Sequence, residues 1–348
     1  MRKSRMFFAC WLFFACAAAA SAQSSSVAPR FTATPLNDLG TGTYLGFEGG
    51  LYEDGSNVVP SDHNQAGLSL LSQIGPINGK VVLLSLGMSN ANYIFMSFQQ
   101  QANANNSVDH TSLAIVNGAE PNQVACFWTV PYGPPSSACP TAKGVSNEYD
   151  RVKTQLLTPA HLNENQVQVI WVCDADPSPN ISLPSSSADA YALEGFFGSI
   201  ARAAQTRYPN LRMMFITSRE YAGYATNTLN PEPYAYESGF ALKWLIQAQI
   251  TQIRTGRVDA IAGDLDYNKR VAPWIVWSAY TWADGPHPRS DGLVWCDMQT
   301  GSPCYGDVDV APDGTHPSAE GALDLANLLL NYFLTSPYSG SWFLARSK

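Results

Sequence analysis

Apolar and polar positions alternate along the chain on two scales. Short runs dominated by apolar residues fall at Lys80 to Leu86, Leu113 to Val116, Gln166 to Cys173, Leu211 to Thr217 and Trp274 to Ser278. Each is four to eight residues long and bounded by turn-forming residues, the length of a buried strand. Longer stretches with helical spacing separate them. Leu193, Phe196, Phe197, Ile200 and Ala204 share one helical stripe, and so do Leu242, Leu245, Ile246, Ile250 and Ile253, with Gly256 placed to cap the second helix. A last helix is expected from "HPSAEGALDLANLLLNYFL", with Pro317 at its first position. Strands alternating with helices predict an α/β fold, a three-layer α/β/α sandwich around a mostly parallel sheet of about five strands.

The remaining segments fit around that frame. Residues 1–22 carry Arg2, Lys3 and Arg5, then an apolar run from Met6 to Ala20, then Ala20-Ser21-Ala22, the pattern of a cleaved secretory signal. Fifteen apolar residues are short for a membrane span. Residues 23–35 read as a loose leader, and residues 36–79 as an N-terminal elaboration of a single domain covering 36–348. A short helix is expected in "NEYDRVKTQLLTPAHLNENQ", and a long loop from Trp274 to Asp307.

Charge and cysteine content narrow the function. Without residues 1–22 the chain holds 17 basic against 28 acidic residues, a net charge of −11. That balance argues against nucleic acid or an anionic membrane surface as a partner. Export, to the periplasm or the medium, would permit disulfides, and Cys126 with Cys139 and Cys296 with Cys304 are local candidate pairs; Cys173 reads as a buried free thiol. No cysteine or histidine spacing suggests a zinc site.

Ser89 is the first candidate for chemistry. In "VVLLSLGMSNAN" it follows the first strand, where ligands bind in an open parallel sheet, and a helix starting beside it would aim unpaired N–H groups at a developing oxyanion. On that evidence alone an ordinary helix N-cap serine is the simpler reading. A nucleophile needs a base. Of the five histidines, His63, His110 and His161 read as surface residues, and His287 in "DGPHPRSDG" ranks second. His316 stands three residues after Asp313 in "APDGTHPSAEG", so a single turn can bring the carboxylate to one ring nitrogen and leave the other for the serine proton.

Taken together, "GMSN" after the first strand, "NG" after the second and "DGTHP" before the last helix resemble the SGNH (GDSL-like) hydrolases, nearest the "GQSN" form of the sialate and acetylxylan esterases. The resemblance rests on strand-end blocks between residues 80 and 335. It implies Ser89 as nucleophile and first oxyanion donor, Asp313 and His316 as the rest of a triad, and Gly118 as the second oxyanion donor. It implies a secreted serine esterase that removes a small acyl group, O-acetyl above all, from a carbohydrate, with no metal or organic cofactor. The family's third donor, an Asn or Gln after the third strand, is missing. "VIWVCDADPSPN" offers Cys173, Asp174 and Asp176 instead, and an ionised carboxylate would oppose an oxyanion.

Topology adds Asn90, Arg219, Tyr221 and Tyr224 as candidate substrate contacts on the rim, with Tyr234, Tyr236, Trp277 and Trp282 as further aromatic candidates. Two other functions stay open. One is a non-catalytic carbohydrate-binding protein on the same scaffold, which the missing amide would suit. The other is a lipase or thioesterase of the same fold, which the lack of a long apolar lid segment disfavours.

Overall fold

The computed structural model describes residues 31–130, 147–176, 178–297, 304 and 308–345. Five strands form the central sheet: β1 (Val81–Gly87), β2 (Leu113–Asn117), β3 (Val167–Cys173), β4 (Met213–Ile216) and β5 (Trp274–Trp277). All pair in parallel, in the order β2-β1-β3-β4-β5. The five apolar runs of the sequence are these five strands. Every residue of β1 and β3 is buried, which is why those runs carry no polar alternation. The edge strand β2 is only partly buried.

Helices cover both faces. They are α1 (Ser61–Leu70), α2 (Ser89–Ala104), α3 (Asp189–Arg207), α4 (Tyr234–Thr255) and α5 (Ala319–Thr335), with short helical turns at Leu36–Leu39 and Glu148–Arg151. α2 packs with α5, and α3 with α4. The architecture is thus the expected three-layer α/β/α sandwich. Phe98 meets Phe333, Phe95 stacks on Trp171 of β3, and Phe215 of β4 meets Phe333, so aromatic rings weld the α2/α5 layer to the sheet. Gly256 ends α4 in the left-handed conformation, as its position suggested.

Several details differ from the sequence reading. α5 begins at Ala319, because Ser318 caps it, its hydroxyl accepting from the N–H groups of Glu320 and Gly321. Pro317 instead bridges Val310, outside the helix. His63 is not at the surface: it is buried against Trp274, shares a 2.8 Å hydrogen bond with the Ile275 carbonyl, and burial pushes its pKa down to about 4. α1 therefore covers the β5 edge of the sheet. Residues 31–35 are packed as well, since the Phe31 and Thr34 carbonyls accept from the hydroxyls of Tyr221 and Tyr236. Cys296 and Cys304 form a disulfide and Cys173 is a buried free thiol, whereas Cys139 and the proposed signal segment lie outside the described residues.

One contact places the end of β1. Gly87 pairs with Cys173 across the sheet, and its φ of 143° is one that side chains rarely adopt. A Cβ there would lie 2.1 Å from the Cys173 carbonyl oxygen. The chain can enter α2 this close to β3 only because residue 87 lacks a side chain. Gly87→Ala should cost about 2 to 3 kcal/mol of folding stability. Urea unfolding would read this as a lower midpoint, and an unchanged midpoint would show that the two strands separate freely at this point.

Candidate active site

Ser89 opens α2 at the carboxyl edge of the sheet, two residues beyond the last β1–β3 pair. Met88 holds the cap position and makes no side-chain capping bond. The Ser89 hydroxyl lies 2.8 Å from His316 Nε2, so it serves the histidine rather than the helix end. First-turn N–H groups of a helix have no intrahelical acceptor, which leaves the Ser89 amide free to face a negative charge.

His316 is held by its own turn. Asp313 Oδ2 lies 2.5 Å from His316 Nδ1, while Oδ1 accepts from the Thr315 and His316 backbone N–H groups, each at 3.0 Å. Gly314 makes that turn possible at φ 71°; a Cβ there would meet the Tyr224 carbonyl oxygen at 1.9 Å. Burial works to raise the Asp313 carboxyl, but the hydrogen bonds from His316 and Thr315 outweigh it and hold the carboxyl below its usual range. An ionised Asp313 fixes the tautomer with the proton on Nδ1, so Nε2 presents a lone pair to Ser89. Tyr93, one helical turn after Ser89, sets its ring edge-on to the imidazole at 6.0 Å.

A cavity of about 430 Å³ opens over these atoms. Its wall is largely apolar, with Tyr93, Val124, Phe127 and Leu229 facing Ser89 and His316, and Asn122, Asp176 and Asn230 supply polar groups. A second groove, of about 350 Å³ between α3 and α4, contains no serine, cysteine or histidine. Among the described residues no three His, Cys, Asp or Glu side chains group as metal ligands, and no helix is long and apolar enough to cross a membrane.

Other expected residues fall elsewhere. The Gly118 N–H donates to Ser85 Oγ at 3.0 Å, away from the cavity, so the backbone donor expected there is already engaged. Its missing side chain serves close packing instead, since a Cβ would sit 2.5 Å from the Ser85 carbonyl oxygen. Arg219, Tyr221 and Tyr224 are buried and not on the rim. The segment after β4 folds inward over the sheet edge: Arg219 pairs with Glu220, and the two tyrosine hydroxyls donate to the carbonyls of Phe31 and Trp295. Tyr236, Trp277 and Trp282 are core residues too. His287 is exposed and bonds Asp284, apart from the cavity. Asn90 lines the cavity but is 1% exposed, its amide engaged by Glu220 and the Thr315 carbonyl.

The strand-end position where an amide was sought holds Asp176. It is buried, and burial raises its carboxyl despite the Ser178 N–H that lowers it, which favours the neutral acid and softens the expected repulsion. Asn122 and Asn230 bring amides to the same cavity from loops that carry no periodic signal. Tyr93 had one: it lies four residues after Ser89, on the same helical face.

No protein-family model and no curated protein matches the chain. A solved structure of a gut microbial diltiazem-metabolizing enzyme is similar at a TM-score of 0.34 and 11% identity, covering 75% of this chain and 48% of that one. The chain spans about half the length of that enzyme.

The hydrogen bonds that hold Asp313 below its usual range keep it charged beside His316 Nδ1. Asp313→Asn should keep the fold yet lower kcat for an ester substrate by about 10⁴-fold, since an amide favours the wrong tautomer. Steady-state kinetics of both proteins check this; a variant within tenfold of wild type would remove Asp313 from the relay.

Proposed function

We propose that the protein is a secreted serine hydrolase that cleaves carboxylic esters, removing a small acyl group, O-acetyl in the first place, from a carbohydrate. The observation that carries this reading is the unbroken chain Ser89 Oγ, His316 Nε2, His316 Nδ1, Asp313 Oδ2 at the floor of a cavity. Three residues spread over more than 220 positions have no packing reason to line up in that order.

In this mechanism Ser89 Oγ attacks the ester carbonyl while its proton passes to His316 Nε2. The tetrahedral oxyanion lies at the α2 N-terminus, where the Ser89 N–H and the helix dipole stabilise it, and the side-chain amide of Asn122 in the cavity wall is a candidate second donor. Collapse breaks the bond to the alcohol, which leaves with the proton held on Nε2. Water, deprotonated by the same nitrogen, then attacks the acyl-serine; Ser89 regains a proton and the acid departs. Every proton is accounted for by the chain's own residues and water.

The carbohydrate assignment draws on the resemblance and on the cavity wall, where Tyr93 and Phe127 offer aromatic faces suited to the C–H surface of a sugar ring. The secretion assignment draws on residues 1–22. A second reading, a carbohydrate-binding protein without turnover, is favoured by one observation: the Gly118 N–H is committed to Ser85.

Labelling with a fluorophosphonate separates the two. A single adduct mapped to Ser89, absent from His316→Ala, is expected; a folded protein that takes no adduct would replace the esterase by the binding protein. Phe127→Ala should raise KM for an acetylated sugar by roughly fivefold, about 1 kcal/mol of lost aromatic contact, with kcat little changed. A series of nitrophenyl esters that favours long acyl chains would shift the substrate to a lipid or thioester.

A further inference from the structure

The hydrogen-bond chain continues behind the nucleophile. Asn90 Nδ2 donates to Glu220 Oε1 and, at 3.0 Å, to the Thr315 carbonyl, while Asn90 Oδ1 lies 3.3 Å from Ser89 Oγ. Three separate pieces of chain meet at this one amide: the first turn of α2, the segment after β4, and the loop that carries Asp313 and His316. Thr315 is the neighbour of His316, and its hydroxyl is tied in turn to Asn227 Oδ1 at 3.1 Å.

Glu220 is fully buried, and so is its ion-pair partner Arg219, whose Nη2 lies 3.4 Å from Glu220 Oε1. None of the three Arg219 guanidinium nitrogens makes a hydrogen bond. A buried pair so poorly solvated does not repay its own desolvation, and apolar side chains of the same volume would serve the core at least as well. What a carboxylate supplies that a leucine does not is an acceptor. It settles which way the Asn90 amide faces, because a flipped amide would set Oδ1 against both Glu220 Oε1 and the Thr315 carbonyl with no proton between them. With Nδ2 held there, Oδ1 must face Ser89.

We propose that Glu220 is a positioning residue of the active site: acting through Asn90, it pins the nucleophile's helix to the histidine loop and keeps the Ser89 hydroxyl on its line to His316 Nε2. The proposal rests on the esterase reading above.

The test uses the full chain and four variants, E220Q, E220L, N90L and E220L/N90L, with an acetyl ester as substrate and the fluorophosphonate as a second probe. E220Q keeps an oxygen for Asn90 Nδ2 and should retain most of the wild-type kcat. E220L and N90L should each lose kcat by about a hundredfold, the scale of a nucleophile misplaced by an ångström, with KM within threefold of wild type. Labelling rates should fall in parallel. Because Glu220 acts through Asn90, the double variant should be no worse than N90L.

A kcat near wild type in N90L, a loss confined to KM, multiplicative losses in the double variant, or E220Q as damaged as E220L would each overturn the proposal. If E220L fails to fold, the contrast between N90L and E220Q decides. Wild-type protein that takes no label at Ser89 would remove the esterase reading and this proposal with it; labelled wild type beside unaffected variants would remove this proposal alone.

Discussion

A 2.8 Å hydrogen bond joins Ser89 Oγ to His316 Nε2 across 227 positions of sequence, and much of the architecture serves to keep those two atoms in register. The tolerance is small, because a proton moves well only between groups in hydrogen-bond contact. Neither end can be fixed locally. Ser89 hangs from the end of β1, whose position is set by pairing with β2 and β3, while His316 hangs from the start of α5, whose position is set by packing on α2. The aromatic layer between α2, α5 and β4 therefore helps set the distance between these two atoms, although none of its rings lines the cavity. At both ends a glycine lets the chain make its last approach: Gly87 beside Cys173 and Gly314 beside Tyr224.

Electrostatics complete what packing begins. Asp313 accepts three hydrogen bonds and stays ionised, so the imidazole is oriented before any substrate arrives. The opposite trend holds around it, where Asp174 and Asp176 are driven towards the neutral form by burial. One carboxylate is kept charged beside His316 Nδ1, and Asp176 in the cavity wall is pushed the other way. The surroundings alone thus give the aspartates near this sheet edge opposite charge preferences.

The strands and the Ser89, His316 and Asp313 arrangement were legible in the sequence because each is written in short stretches. β1 and β3 are buried on both faces and read as continuous apolar runs, and Asp313 and His316 are separated by a single turn. What was not legible depends on contacts between distant segments. Arg219, Tyr221 and Tyr224 looked like rim residues because their loop follows a strand, yet Phe31 and Trp282 pack on Tyr221, the Trp295 carbonyl takes the Tyr224 hydroxyl, and Arg219 is fully buried. Gly118 follows its strand as expected, but Ser85, 33 positions earlier, takes its N–H. His63 looked polar and exposed, and only the path of α1 over β5 shows otherwise. Asn122 and Asn230 carry no pattern that marks them, and Asn90 was read as a substrate contact when its amide is spent on the protein itself.

If Ser89 is the nucleophile, it carries the acyl group during turnover. Acid-quenching the protein within its first turnovers of an acetyl ester, followed by intact mass and peptide mapping, decides this. An acetyl group should form on Ser89, disappear as substrate runs out and never form in His316→Ala. Ester hydrolysis with no acylated enzyme, or with the acyl group on another residue, would contradict it.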